Sequence, residues 1–576
     1  MQSTFPGFSA NSMCIAPAAA IAGFLSCIEQ CLATRNLKLS VCLHAGLIKS
    51  AFNRHTLLGN RLVELYSKFR SLRCAESAFH DLPFKNHQSY NIMLAAYCRT
   101  GRIDLAHQLF DRLPDQHLVS YNTMILSLAR QGFHRQALDL FRRMLKHFVV
   151  MDEFTVVSVC AACTGLGFLK SLRQLHASVI VSGLEFNLIM SNVMIDSYGK
   201  CGDVDSSQHV FDQMERRDVV TWTSLVAAYT SARRLQEARA VFFSMPERNT
   251  VSWTSLISGY EQNKEEEAAL ELFEQMMAKG VVPNPFTVVS VLSACASLGF
   301  TERGRQVHGF IFRRCIGLDT FNVFVSNALI DMYAKCGNMV SAASLFHWMP
   351  KHDIVSWNSI ITGYAQNGHG KQSLDVFEKM VTEGVRPNHV TFLGVLSACS
   401  HAGFVSEGCR ILCLMEKEYG VCPRDEHFAA FIDALGRKCQ IKEAMDFIEC
   451  LSCEFVPASV ATWGALLGAC RVHGNLEIAK RAAESLFMLD PKNGARYTLL
   501  SNVYAAAGLW DDARRIKVLM KEKGLKKDPG YSWLELRNGK HMFVARDTSH
   551  YETEDIYRLL ATLVDHIKDE RVIVVE

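Results

Sequence analysis

VSWNSIITGYAQNG (355–368) and VTWTSLVAAY (220–229) are copies of one frame, and the spacing of its copies decides the fold. Aligned on the polar residue after the tryptophan, the frame recurs at Asn60, Asn91, Asn122, Asn192, Thr223, Thr254, Asn327 and Asn358. Neighbours are 31 residues apart, or 70 to 73 where a motif of another type intervenes. A period of this size marks an array of stacked supersecondary units. Cut in this register, the chain falls into units 21–55, 56–86, 87–117, 118–152, 153–187, 188–218, 219–249, 250–284, 285–322, 323–353, 354–388, 389–424 and 425–457. His44, His176 and His308 share another slot at intervals of 132 residues, the length of four units.

With 576 residues, 49% of them apolar, the chain exceeds the roughly 250–300 residues at which one core stops growing. The period selects a solenoid over separate globular domains. Each unit reads as two helices. In 219–249, Val220, Trp222, Leu225, Val226 and Tyr229 recur at helical spacing, followed by a second set, Leu235, Ala238, Val241 and Phe242. The second helix is expected to stop near Met245-Pro246, because proline has no amide proton. Glycines at 101, 132, 202, 337 and 368 fall between the helices, where a tight reversal favours a residue without Cβ. A single hairpin cannot bury both faces, so the expected fold is all-α, a right-handed superhelical solenoid of helix-turn-helix repeats.

In such a stack the recurring Asn or Thr lies on the same face of every first helix. It offers one hydrogen-bonding side chain per repeat, and one base per helical repeat is a known mode of single-stranded RNA recognition. A lone Asn would be read as satisfying the backbone near a helix end. Eight in register, exchanging only with Thr, favour a reading surface. Trp222, Trp253 and Trp357 read as core residues rather than base-stacking platforms.

Net charge is +3 with a pI of about 8.0. That is too mild for an indiscriminate nucleic-acid binder, so base-edge contacts and stacking must carry selectivity. Twenty scattered cysteines suit helix packing in a reducing compartment better than a disulfide scaffold. No uninterrupted apolar run reaches membrane-spanning length. Residues 1–20 are expected to be an organelle transit peptide. The lack of acids before Glu29 suits that reading, whereas the lack of basic residues before Arg35 does not.

The frames NALIDMYAKCG (327–337), VSWNSIITGYAQNGHG (355–370) and VTFLGVLSACSHAG (390–403) resemble the pentatricopeptide repeat family of plant organelles, in its P–L–S subclass. The resemblance covers residues 21–576. It implies that each base is chosen by two residues, the helix slot and the last residue of the unit. The implied pairs are Asn60/Asn86, Asn91/His117, Asn122/Asp152, Asn192/Asp218, Thr223/Asn249, Thr254/Asn284, Asn327/Asp353 and Asn358/Asn388. By the family's code, Asn with Asp favours U, Thr with Asn favours A, and Asn with Asn favours a pyrimidine. Asn91/His117 departs from the code and leaves its base open. Val157, Val289 and Leu393 occupy the slot in the L-type units, which are expected to be spacers. The implied target is Y-n-U-n-U-A-A-n-U-Y, with Val220, Val251 and Val355 flanking the bases.

SVATWGALLGACRVHGN (459–475) and YTLLSNVYAAAGLWDDARRIKVLMKEKG (497–524) resemble the family's two E motifs, giving a region 458–528 after the repeats at 21–457. PGYSWLEL (529–536) opens a tail, 529–576, similar to the start of the family's E+ region. By this resemblance the tail stops short of a complete DYW-type deaminase domain.

A zinc deaminase needs H-x-E followed by P-C-x-x-C. His550-Tyr551-Glu552 matches the first by letters, no cysteine follows it, and it reads as a chance match. Cys160-Ala161-Ala162-Cys163 and Cys450-Leu451-Ser452-Cys453 read as packing residues. No P-loop, H-E-x-x-H or G-x-S-x-G string is present, and no cofactor or metal is expected. The leading expectation is a non-enzymatic factor that specifies C-to-U editing of organellar RNA. It would recruit a DYW-type deaminase in trans, with other organellar editing factors as further partners. Mitochondrion is favoured, with chloroplast as the alternative. The rivals are an RNA-binding factor for splicing, stability or translation, and a protein-binding helical scaffold.

Overall fold

The computed structural model describes residues 17–34, 36–113, 115–314, 322–453, 458–525, 530–536, 539–544 and 548–573. Most of the expected transit peptide and the boundaries near 457 and 528 lie outside the described residues. Two compact units divide the chain, Met1–Glu265 with Leu272–Val282 and Glu266–Glu271 with Pro283–Glu576. Each contains a run of antiparallel helical hairpins.

In the first unit, first helices open at Thr56, His87, Leu118, Glu153, Leu188, Val219 and Thr250. In the second they open at Pro285, Val323, Ile354, His389 and Asp425. Each is the first residue of a unit read from the sequence. The cause is local. The last residue of the preceding unit is the N-cap, and Asn86, Asp152, Asp218, Asn249, Asn284, Asp353 and Asn388 each form a capping box. Their side chains accept the backbone N–H of a Ser or Thr three residues on, filling one of the orphan donors at the helix start.

The second helix Leu235–Ser244 stops one residue before Met245, which is extended at ψ 133° and leads into Pro246. Gly202 makes the reversal inside its hairpin at φ +80°. Arg233 makes the same reversal at φ +60°, a conformation that costs a residue with Cβ about 1–2 kcal/mol.

Successive first helices pack through small residues. A Cβ on Gly199 would lie 2.5 Å from Ala228 Cβ, and one on Gly436 would lie 2.4 Å from Ala469 Cβ. Trp253 and Trp357 are fully buried, edge-on to Phe242 at 4.7 Å and Phe346 at 4.9 Å, as core residues should be. Trp222 is half-buried against Phe211 at 4.8 Å. A continuous core runs from Ile28 through Leu62 and Phe79 to Ala96 in the first unit. In the second, another joins Phe431, Leu466, Leu486 and Tyr504, so the hairpins Val460–His473/Leu476–Leu489 and Gly494–Ala506/Trp510–Glu522 continue the stack.

The tail departs from all-helical structure. Tyr531–Leu536 and Gly539–Val544 pair antiparallel, Tyr531 opposite Val544 and Leu536 opposite Gly539, before a final helix Thr553–Ile573. Among the described residues no helix is long and apolar enough to cross a membrane.

Candidate nucleic-acid interface

The slot is the fifth residue of each first helix, and in five motifs it is hydrogen-bonded to the unit's last residue. Nδ2 donates to Oδ1 from Asn60 to Asn86 at 3.3 Å, from Asn122 to Asp152 at 2.9 Å and from Asn192 to Asp218 at 3.3 Å. In the second compact unit the same bond runs from Asn327 to Asp353 at 3.1 Å and from Asn358 to Asn388 at 3.3 Å. The two residues that the family's code pairs are therefore direct neighbours in these motifs.

One oxygen carries most of this chemistry. Asp152 Oδ1 accepts the Thr155 N–H at 2.8 Å and the Asn122 amide, and lies 2.8 Å from the Thr155 hydroxyl oxygen. Burial alone would push up the carboxyls of Asp218 and Asp353. Bonds from Thr221 and Asn192, and from Ser356 and Asn327, outweigh it and hold both below the usual carboxylate range. These side chains are anionic acceptors at neutral pH.

The slot amides fall into two classes. Asn122 Oδ1 accepts from the Thr155 hydroxyl at 2.7 Å, and Asn358 Oδ1 from the Thr391 hydroxyl at 2.6 Å. Among the described residues, Oδ1 of Asn60, Asn192 and Asn327 is buried without a donor. An unmet buried acceptor costs about 1–3 kcal/mol. Sequence reasoning missed the Ser and Thr three residues after each cap, although the spacing N/D-x-x-S/T was visible. It also considered capping for the slot residue, whereas the unit-ending residue performs it.

The threonine motifs are built differently. The Thr223 hydroxyl donates to its own helix at Val219 O, and Thr254 to Thr250 O, each at 2.6 Å. Thr254 belongs to the first compact unit and Asn284 to the second. His117 precedes its helix without a side-chain cap, and its Nε2 lies 3.4 Å from His87 Nε2. The off-code pair Asn91/His117 thus has its histidine turned to a different partner.

Three positions before the slot, on the same helical face, lie exposed aliphatics. Val220, Val251 and Val355 expose 57%, 58% and 50% of their surface. In the L-type units the slot residues Val157, Val289 and Leu393 are half-buried.

The remaining chemical candidates resolve into packing. His44, His176 and His308 each place Nδ1 against a tyrosine hydroxyl, Tyr66 at 3.1 Å, Tyr198 at 2.9 Å and Tyr333 at 3.0 Å. Burial lowers the pKa of all three histidines. Cys160 and Cys163 are buried, which pushes both thiols up to about 12 and leaves them protonated. Cys450 is exposed, and the side chain of Cys453 lies outside the described residues. His550 Nε2 meets His541 Nδ1 at 2.7 Å, and its Nδ1 accepts the Glu552 N–H at 3.1 Å.

Comparison with known proteins agrees with this architecture. The family model described as PPR repeat matches residues 88–117, 119–147, 189–219, 220–250, 324–354 and 390–419. A second, PPR repeat family, matches 248–297 and 352–401, and the E motif matches 473–535. The Arabidopsis thaliana pentatricopeptide repeat-containing protein At2g13600 is 35% identical over 95% of this chain and 74% of its own length. At2g03880, named mitochondrial, is 34% identical over 90% of the chain and 71% of its own length. At1g11290, named chloroplastic, is 32% identical over 93% of the chain but only 58% of its own length. The chain spans about half the length of several such relatives, 45% and 47% in two further cases. Among solved structures, the maize pentatricopeptide repeat protein PPR10 aligns with 89% of this chain and 91% of its own, at 16% identity and a TM-score of 0.45. The motif lengths, the capped first helices and the Arabidopsis relatives converge on one conclusion: the chain belongs to the pentatricopeptide repeat family.

Proposed function

We propose that this protein is a sequence-specific single-stranded RNA-binding factor that specifies C-to-U editing of organellar transcripts. The observation that carries the proposal is the repeated bond between slot and unit end. In five motifs it holds an amide and a carboxylate or second amide side by side, near an exposed apolar side chain such as Val355. Such a pair offers both donors and acceptors to a base edge, and the aliphatics offer contact to its faces. The buried acceptors of Asn60, Asn192 and Asn327 lack a donor, and the N3–H of uracil is one. Asn192/Asp218 and Asn327/Asp353 are two of the three pairs whose implied base is U; in the third, Asn122/Asp152, the Thr155 hydroxyl takes the slot acceptor.

The E motif at 473–535 supports editing over splicing, stability or translation, because family members that only bind RNA usually lack it. The E region and the tail would dock a DYW-type deaminase acting in trans, with further organellar editing factors. The relatives' names include both organelles, and we place the protein in the mitochondrion, with the chloroplast as the alternative.

Sequencing of organelle transcripts from a plant lacking the protein tests this reading. The expected result is loss of editing at one or a few cytidines, each preceded by Y-n-U-n-U-A-A-n-U-Y. Intact editing with altered introns or transcript ends would move the function to RNA processing.

A further inference from the structure

Two side chains that the base-reading scheme does not use, His87 and Asp115, converge with the off-code His117 where units 87–117 and 118–152 meet. His87 opens the helix His87–Arg99, and His117 directly precedes the helix Leu118–Arg130. Asp115 lies two residues upstream of His117. All three are exposed, and one ligand atom from each lies within 4.8 Å of the others. The two imidazoles meet edge-on, with ring centroids 4.3 Å apart at 71° and Nε2 atoms 3.4 Å apart.

That separation is long for an N–H···N hydrogen bond, since bonds donated by N–H cluster at about 2.7–3.2 Å. It fits a different geometry. Zinc–imidazole bonds of about 2.0–2.1 Å at tetrahedral angles put two ligand nitrogens roughly 3.3–3.4 Å apart. The Nε2 pair therefore already stands at the edge length of a tetrahedral site. Asp115 supplies a carboxylate close enough to close a third vertex by side-chain rotation. Two imidazoles and one carboxylate suit zinc, and copper or nickel by the same donors.

We propose that His87, Asp115 and His117 bind one first-row divalent transition cation, zinc foremost, leaving a fourth position to water. The site holds His117 on His87, at the place where nine other unit ends among the described residues carry a capping Asn or Asp. The consequence for RNA rests on the reading above: zinc would alter recognition at the second base of the target and at no other.

The test is calorimetric titration of the full chain with zinc chloride, in a phosphine reductant, for wild type, His117→Asn and Asp115→Asn. Asn is chosen because it caps the same helix position elsewhere, and metal-free melting curves confirm that each variant is folded. The expected result is one binding step lost in His117→Asn and weakened in Asp115→Asn. Steps due to exposed thiols such as Cys409 and Cys413 should be unchanged. Superimposable titrations would assign all zinc to the thiols and overturn the site. Electron paramagnetic resonance of the wild type with one equivalent of copper(II) gives an independent reading. Coupling to imidazole nitrogen that disappears in His87→Ala supports the site, and a spectrum unchanged by that substitution rejects it. Neither readout uses RNA, so failure here is distinct from failure of the RNA reading.

Discussion

Asn122 and Asp152 lie thirty residues apart in sequence and are joined by a 2.9 Å hydrogen bond, amide to carboxylate. The same carboxylate caps the next first helix through Thr155. One side chain therefore has two roles, starting a helix and holding the slot amide. The roles separate on substitution. Asp152→Ala should lose about 1 kcal/mol of stability, the usual value of a cap. Asp152→Asn should keep the cap within a few tenths of a kcal/mol, since Asn and Asp cap equally well, and should broaden the base preference from U to either pyrimidine. Thermal unfolding checks the first effect, and binding to RNAs varied at the third base checks the second.

The threonine slots predict a switch. Thr223 spends its hydroxyl on Val219 O, leaving Asn249 without a slot amide like that of the Asn motifs. Thr223→Asn restores the longer amide and should move the first of the two central bases from A toward U or C. Loss of one correct base contact should cost about 1–3 kcal/mol, by analogy with base readout in duplex DNA. Binding measured against RNAs carrying each base at that position is the check, and an unchanged preference would break the assigned register.

The close approach of first helices predicts a destabilising alanine. Gly199→Ala would gain about 1 kcal/mol of helix propensity. Its Cβ, however, would sit 2.5 Å from Ala228 Cβ and 2.8 Å from Ala228 Cα, and a backbone atom cannot yield as a flexible side chain can. Overpacking costs about 1–3 kcal/mol, so the net effect should be a lower melting temperature.

The histidine–tyrosine clasps predict a pH dependence. His44, His176 and His308 have their pKa lowered by burial, so the unfolded chain binds protons before the folded one does. Their contribution is present above the unfolded value of about 6.5. It is lost as pH falls from there through the lower folded values. Stability measured by denaturant unfolding should therefore decline between neutral and mildly acidic pH. Replacing all three with Gln should flatten that decline.

Much of this structure was legible because the repeat enforces local chemistry at fixed places. A helix start favours Asn or Asp at its cap, so Asp218 and Asp353 mark boundaries as well as the expected base choices. The slot residues were legible as a column because each is the fifth residue of its helix, at a fixed distance from the cap. The acceptor left unmet on Asn192 was not legible, since both next units carry the threonine and only its reach differs: Thr155 bonds Asn122, whereas Thr221 bonds Asp218. The meeting of His87 with His117 depends likewise on packing between units. The hairpin Tyr531–Leu536/Gly539–Val544 was missed because six-residue strands carry little periodic signal. The Asn-Gly at 538–539 was the cue available, a dipeptide favoured in tight hairpin turns.

The most direct test of the central claim is equilibrium binding of the purified protein to Y-n-U-n-U-A-A-n-U-Y RNA, against the same RNA with its central A-A replaced by U-U. Sequence-specific reading predicts clearly tighter binding to the first RNA, and a reversed order when Thr223 and Thr254 are both changed to Asn. Equal affinity for the two RNAs, in wild type and variant alike, would contradict it.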